Sequence, residues 1–391
     1  MKAPVAKVSE KAAKSVRLGY PWVWRQEVLG LPKDLPPGAT IDVVDAQQNP
    51  LGQAFVSSRS PLALRFVSRK LHADERIDDV FWKRRFELAV ARRKSLEGRD
   101  AMRLVHAEAD LVPGLIVDRY GSALTVQTLS EGADVRKATW ARQLQELTGA
   151  SVVVCRDDAS GRDFEGLSRE TRVLGGEGKT LVEYHEGESA LEIDLLADSK
   201  TGSFLDQLDN HLRAGQLASG RALDTFSYHG GFALSLARRC SAVIAVEQDP
   251  DAAARARANA SRNGHRHVEV VTGNAFDELR WRSDEGETFD TVVIDPPGLA
   301  KRKEGLATAR RAYHELNVRA FKLVAPEGLL VTCSCSGKLT RDVFEAMVLE
   351  AAADAKRTVQ VLERRGAGID HPVLPGLPET EYLKAWFVRV L

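Results

Sequence analysis

No stretch of the chain approaches the roughly 18 consecutive apolar residues of a membrane span, and none has the apolar block of a secretory leader. The opening segment MKAPVAKVSEKAAKSVRLGYPW is polar and basic. Both features lead to the expectation of a cytoplasmic protein with no membrane partner. Cysteine is scarce: four residues in 391 do not make a disulfide framework. Cys155 and Cys240 lie in apolar or helical surroundings and read as packing residues. Cys333 and Cys335 have no second ligand pair nearby, so no metal is expected. Excess charge is absent as well, with 55 basic against 55 acidic side chains. That balance excludes a uniformly basic nucleic-acid coat and leaves only local patches for such a role. Missing too are a GxGxxG fingerprint and a Walker lysine after the Gly230-Gly231 turn, which argues against a dinucleotide or polyphosphate ligand.

What is present is enough for two or three domains: 391 residues, 43% of them apolar and 28% charged. Up to about residue 72, short alternating segments broken by Pro-Pro-Gly and Asn-Pro predict a small β-barrel. Residues 1–30 carry six basic side chains (Lys2, Lys7, Lys11, Lys14, Arg17, Arg25) with Tyr20, Trp22 and Trp24 interleaved. Basic plus aromatic composition suits phosphate binding and base stacking, and equally a solvated tail beside a core tryptophan. The stretch 74–97 predicts a helix with an apolar stripe of Phe81, Phe86, Leu88 and Val90. Its basic run (Lys83, Arg84, Arg85, Arg92, Arg93, Lys94) is either a solvated face or an extension of a basic surface. Hairpin strands around RYGS, a helix near 134–148 and the strand SVVVCRDD complete a central α+β region, 73–190.

From 191 to 391 strands alternate with helices, which predicts a mostly parallel sheet covered on both faces. Such sheets bind ligands at the carboxyl ends of their strands, and four strand ends here carry polar groups. The first is DTFSYHGGFAL, with Asp224 before Gly230 and Gly231. The glycines let backbone approach a ligand, and the following helix start favours a negative group. The second ends at Glu247, 23 residues on, placed to accept from the two hydroxyls of a ribose. The third ends with Asn274, an amide suited to an adenine edge. The fourth is IDPPG, where two prolines after a buried strand hold Asp295 still. A fifth strand runs into LLVTCSCSG with its two thiols.

This arrangement resembles the class I S-adenosylmethionine-dependent methyltransferases. TGSFLDQLDN, FSYHGGFA, DPPGLAKRK, AYHELN, SCSG and DHPV, together with GYPWVW and DLVPGLIVDRYG, narrow the resemblance to the RlmI-type large-subunit rRNA cytosine-5 methyltransferases. It implies an α/β fold: a Rossmann-like methyltransferase domain on a mixed seven-stranded sheet, preceded by a small β-barrel PUA domain and a central α+β domain. It also implies S-adenosylmethionine as cofactor and RNA, large-subunit rRNA or its assembly intermediate, as partner, with a homodimer left open. The implied cofactor site comprises Phe204, Gln207, Asp224, Phe226, Ser227, Tyr228, Gly230, Glu247, Asn274 and Asp295. The family's LDQR reads LDQL, so Leu208 offers no guanidinium; the strand-three acid is Asn274; and Tyr20 stands where HPW has a histidine.

Carbon 5 of cytosine is too weak a nucleophile to take a methyl group unaided. A thiolate adding to carbon 6 makes it enamine-like, and elimination later restores the ring. The family pattern of Cys followed by Ser-Gly maps onto Cys335 as this nucleophile, with Asp295 hydrogen-bonding the cytosine edge and Cys333 as packing. Two other readings stay open at this point. One is an rRNA methyltransferase acting on guanine, which needs no covalent cysteine. The other is a ribosome-assembly RNA-binding protein with a vestigial methyltransferase domain.

Overall fold

A computed structural model describes residues 4–69, 76–198, 201–299 and 305–391. The chain forms two compact units. One comprises Met1–Glu183, Ile193–Ser203 and Asp370–Thr380; the other Tyr184–Glu192, Phe204–Ile369 and Glu381–Leu391. Among the described residues no helix is long and apolar enough to cross a membrane.

The first unit begins with a six-stranded sheet in the spatial order Trp22–Trp24, Leu62–Ser68, Pro50–Val56, Thr40–Val44, Val5–Val8, Val28–Gly30. Alternation sets its faces: in TIDVV, Ile41 and Val43 point inward and are buried. The helix Glu10–Arg17 is capped by Ser9, whose Oγ accepts from the Ala12 N–H at 3.2 Å, and it turns Ala12, Ala13 and Val16 onto that core. Of the basic N-terminal residues, Lys11 pairs with Glu27 and Arg17 with Glu10 and Asp45. Lys2 lies outside the described residues.

A five-stranded sheet follows, ordered Glu170–Gly176, Val152–Asp157, Ala123–Thr128, Leu115–Tyr120, Ala101–His106. The expected helix 74–97 is shorter, Asp79–Ala91, started by an Asp78 cap; residues 74 and 75 lie outside the described residues. Its buried side is Trp82, Phe86 and Ala89, and Leu88 is exposed. The large rings decide the face: Trp82 packs on Trp140 at 4.8 Å and on Phe55 at 5.5 Å. The basic run is not all surface either. Arg93 is buried, donates to both oxygens of Asp110 at 2.7 Å and to the carbonyls of Ala89, Arg103 and Asp370. DHPV likewise contributes an anchor, since Asp370 accepts the Arg103 N–H at 2.8 Å. Among the described residues one cluster, Cys155, Asp157 and Glu170, has metal-ligand spacing, and the Lys137 ammonium sits against Asp157 and Glu170.

In the second unit the elements run α1 (Leu208–Leu217), β1 (Arg221–Thr225), α2 (Gly231–Ala237), β2 (Ala242–Glu247), α3 (Pro250–Arg262) and β3 (Val268–Thr272). Then come α4 (Ala275–Asp284), β4 (Phe289–Ile294), α5 (Leu306–Leu323), β5 (Val324–Ser334), α6 (Arg341–Asp354), β6 (Val359–Arg365) and β7 (Lys384–Val390). Their order is β3-β2-β1-β4-β5-β7-β6, parallel except for β7, which runs antiparallel to β5 and β6. Apolar β1, β4 and β5 are buried on both faces, one under Tyr313, Phe321 and Phe344, the other under Phe232 and Leu236. The carboxyl ends of β1, β2, β4 and β5 therefore open at one edge, and the polar residues collect there.

Candidate active site

The loop after β1 is strained in a way sequence alone does not reveal. Phe226 (φ 63°) and Tyr228 (φ 50°) are left-handed without being glycine, and Gly230 follows at φ 90°. Non-glycine residues held there cost of order 1–3 kcal/mol each, and such strain gathers at ligand sites. The loop is held from several sides. Ser227 donates its N–H to the Val246 carbonyl at 3.0 Å and its hydroxyl to the Asp224 carbonyl at 3.0 Å. Glu247 accepts the N–H groups of Tyr228 (2.7 Å) and Asp249 (2.8 Å). Phe204 packs edge-on against Tyr228 at 4.9 Å, and Phe226 against Phe276 at 6.0 Å.

Asp224 is buried; its Oδ2 accepts the Ala233 N–H at 3.0 Å, while Oδ1 has no hydrogen-bond partner. Burial, reinforced by the neighbouring Asp295 carboxylate, pushes the Asp224 carboxyl up to about 7. Gln207 accepts from Asn210 at 2.6 Å through Oε1, and its buried Nε2 has no acceptor at hydrogen-bonding geometry. A polar ligand that donates to Asp224 Oδ1, at the end of β1, and accepts from Gln207 Nε2, on the turn just before α1, would satisfy both. Asn274, expected at an adenine edge, also caps α4: its side-chain oxygen accepts the Phe276 N–H at 2.9 Å, and Nδ2 faces Gln248 at 3.3 Å.

Behind the loop, sequence reasoning missed a buried pair. His211 on α1 contacts the Glu186 carboxylate at 2.7 Å and packs against Phe232 at 4.4 Å. Burial opposes the imidazolium, but Glu186 outweighs it, so the His211 pKa stands above the ordinary value. The ring explains Gly231: a Cβ there would lie 2.3 Å from the His211 ring.

The two thiols differ sharply. Cys333 is fully buried in the β5 ladder, and burial together with Asp295 drives its pKa well above the ordinary thiol value. Ser334 is the last paired residue, so Cys335 leaves the strand and is partly exposed. Its Sγ lies 4.0 Å from the Pro296 carbonyl, and Gly298 faces it so closely that a Cβ there would sit 3.7 Å from Sγ. The DPPG turn after β4 and the SCSG turn after β5 thus form one corner. Tyr313 from α5 ties it together, its hydroxyl 2.9 Å from Ser336 Oγ and 3.5 Å from the Pro297 carbonyl. Lys384 was also missed, although a lysine opening the apolar strand KAWFVRV was a usable signal. It is buried, donates to the carbonyls of Ser336 and Tyr382 at 2.8 Å each, and burial lowers it to about 8 beside Cys335. Leu208 is core. Burial raises Cys155 to about 12 and Cys240 to about 11, which suits inert packing groups.

A seven-stranded sheet with one antiparallel strand, a strained glycine loop after β1 and an acid at the end of β2 define a class I methyltransferase fold. Comparison with known proteins agrees. A PUA-like domain matches residues 6–69, and "Conserved hypothetical protein 95" matches residues 202–324. The structure of SMU.776 complexed with SAH superposes with a TM-score of 0.84 at 18% identity, covering 99% of this chain and 100% of that one. Ribosomal RNA large subunit methyltransferase I of Cronobacter sakazakii is 36% identical over 386 residues, and that of Erwinia tasmaniensis 37%, each covering 97% of both chains. The chain belongs to the ribosomal RNA large subunit methyltransferase I family.

Proposed function

We propose that the protein methylates carbon 5 of a cytosine in large-subunit rRNA, with Cys335 as the covalent nucleophile. As a member of its family it is an S-adenosylmethionine-dependent rRNA methyltransferase. The observation that carries the finer reading is the contrast between the thiols: Cys335 is partly exposed at the junction of the DPPG and SCSG turns, and Cys333 is sealed in the sheet.

When bound, the cofactor supplies an electrophilic methyl group. In this reading Asp224 Oδ1 and Gln207 Nε2 meet the polar end of the cofactor, Glu247 turns to its ribose, and Phe204, Phe226, Ser227, Tyr228 and Gly230 shape the walls. Asn274, besides capping α4, borders the adenine. Cys335 adds to carbon 6 of the base and makes carbon 5 nucleophilic. Asp295 holds the cytosine edge. After transfer a base takes the carbon-5 proton, its electron pair re-forms the C5–C6 double bond, and the C6–S bond breaks to release the Cys335 thiolate. Lys384, protonated below about pH 8, provides positive charge beside the thiolate. Residues 1–72 act as the RNA-gripping module, 73–190 as the central domain and 191–391 as the catalytic domain, except that Tyr184–Glu192 packs with the catalytic unit and Ile193–Ser203 and Asp370–Thr380 with the other.

Nucleoside analysis of large-subunit rRNA from a deletion strain tests this. One 5-methylcytosine should disappear, return with the wild-type gene and stay absent with Cys335→Ala. Loss of a methylguanine instead would move the activity to the other base, and an unchanged nucleoside profile would remove the enzymatic reading.

A further inference from the structure

The first unit holds a cavity of about 460 Å³ that the methyl-transfer chemistry does not use, a volume within the usual range of small-ligand sites, about 300–1,000 Å³. Strand parity builds one wall. Val23 is buried in the core of the six-stranded sheet, so Trp22 and Trp24 both face the other way, into the cavity. Arg65, the cross-strand partner of Trp22, lies over its indole at 5.4 Å. The Trp22 indole N–H donates to Glu108 at 2.8 Å, and Arg65 donates to Glu108 at 2.9 Å and to Glu165 at 3.3 Å. Trp22 is thereby fixed in place. At the mouth, Trp24 is 43% and Phe164 66% exposed.

We propose that this cavity takes one unpaired nucleobase of the RNA substrate, stacked on Trp24 and Phe164, with its polar edge toward Arg65, Glu108 and Glu165. The inference rests on the reading of the protein as an rRNA methyltransferase and adds to it a recognition site outside the catalytic domain. The choice of occupant follows from the floor. Both carboxylates are buried, Glu108 6% and Glu165 3% exposed; Arg65 pairs with both, and Glu165 also accepts from the Ser57 hydroxyl and from the Glu131 N–H at 3.1 Å. An aliphatic side chain would match the mostly apolar walls but leave the buried Arg65 Nε–H, which has no partner among the described residues, without an acceptor. A nucleobase instead offers flat faces to the rings and N–H and C=O groups to the floor. Paired RNA hides its bases from such walls, so the site selects single strands.

Truncating Trp24 and Phe164 tests the proposal on the full chain, with a mixed-sequence single-stranded RNA oligonucleotide and its duplex as probes. Trp24→Ala and Phe164→Ala should each weaken single-strand binding about 5- to 100-fold. Duplex affinity and cofactor affinity should hold, and Trp24→Phe should retain most of the binding. The slope of log affinity against log salt should be unchanged, because stacking releases no counterions; loss of a phosphate contact would flatten it by roughly 0.7. Unchanged single-strand affinity, an equal loss on the duplex, or a flattened slope would each overturn the stacking site. Failure of the wild-type protein to bind either RNA would instead strike at the rRNA reading itself.

Discussion

At about pH 6.5, binding of S-adenosylmethionine should release most of a proton from Asp224. In the free protein burial holds this carboxyl at about 7, against 3.8 for an ordinary aspartate, so roughly three-quarters of the molecules carry the proton at that pH. A cation brought within a few ångströms lowers a carboxyl pKa by about 1–3 units, and a shift of about 2 leaves only a few per cent protonated. The expected release is therefore about 0.7 proton per cofactor. Titration calorimetry in two buffers of different ionisation enthalpy measures it directly, and Asp224→Asn should abolish the buffer dependence. The same shift has a stability consequence of defined sign. The folded pKa lies above the unfolded one, so the fold loses stability as pH rises from about 4 to about 7. Asp224→Asn keeps an acceptor for the Ala233 N–H and should stabilise the cofactor-free protein above pH 7, by on the order of 4 kcal/mol at most. Identical heats in both buffers for the wild type would refute the placement of Asp224 beside the cofactor's charge.

Gly231→Ala should destabilise the protein by roughly 1–3 kcal/mol in denaturant titration, because the new methyl meets a His211 ring already pinned by Glu186. Helix propensity at the start of α2 favours alanine by only about 1 kcal/mol, so an increase in stability would mean the ring moves freely. Lys384→Met should shift the pH profile of Cys335 alkylation upward, since the ammonium, lowered to about 8 and flanked by Arg341 and Glu381, no longer favours the thiolate. An unmoved profile would show that Lys384 only supports the SCSG turn.

The site was legible where chemistry follows topology. Parallel strands end at one edge of the sheet, so the positions of Asp224, Glu247 and Asp295, and of the two thiols together, followed from the alternation of elements, whereas the choice of Cys335 between the thiols came from the family resemblance. Long-range partners could not. Glu186 reaches His211 from a hairpin 25 residues earlier, and Lys384 reaches the SCSG turn only because β7 inserts antiparallel beside β5. Composition also misjudged residues whose burial is set by tertiary packing. Arg93 reads as part of a basic face but spends its guanidinium on Asp110, and Trp82 displaces Leu88 from the expected apolar stripe because Trp140 and Phe55 stack on it. Asn274 carried two compatible signals, helix cap and ligand contact, and the cap was the one overlooked.

The account depends above all on which sulfur meets the base. Large-subunit rRNA fragments carrying 5-fluorocytosine at the target position block elimination and should leave the wild-type enzyme covalently attached to RNA, with mass spectrometry locating the bond on Cys335. Cys333→Ala should form the same adduct, and Cys335→Ala none while keeping cofactor affinity nearly unchanged. An adduct on Cys333, or full methyl transfer by the variant lacking both thiols, would contradict it.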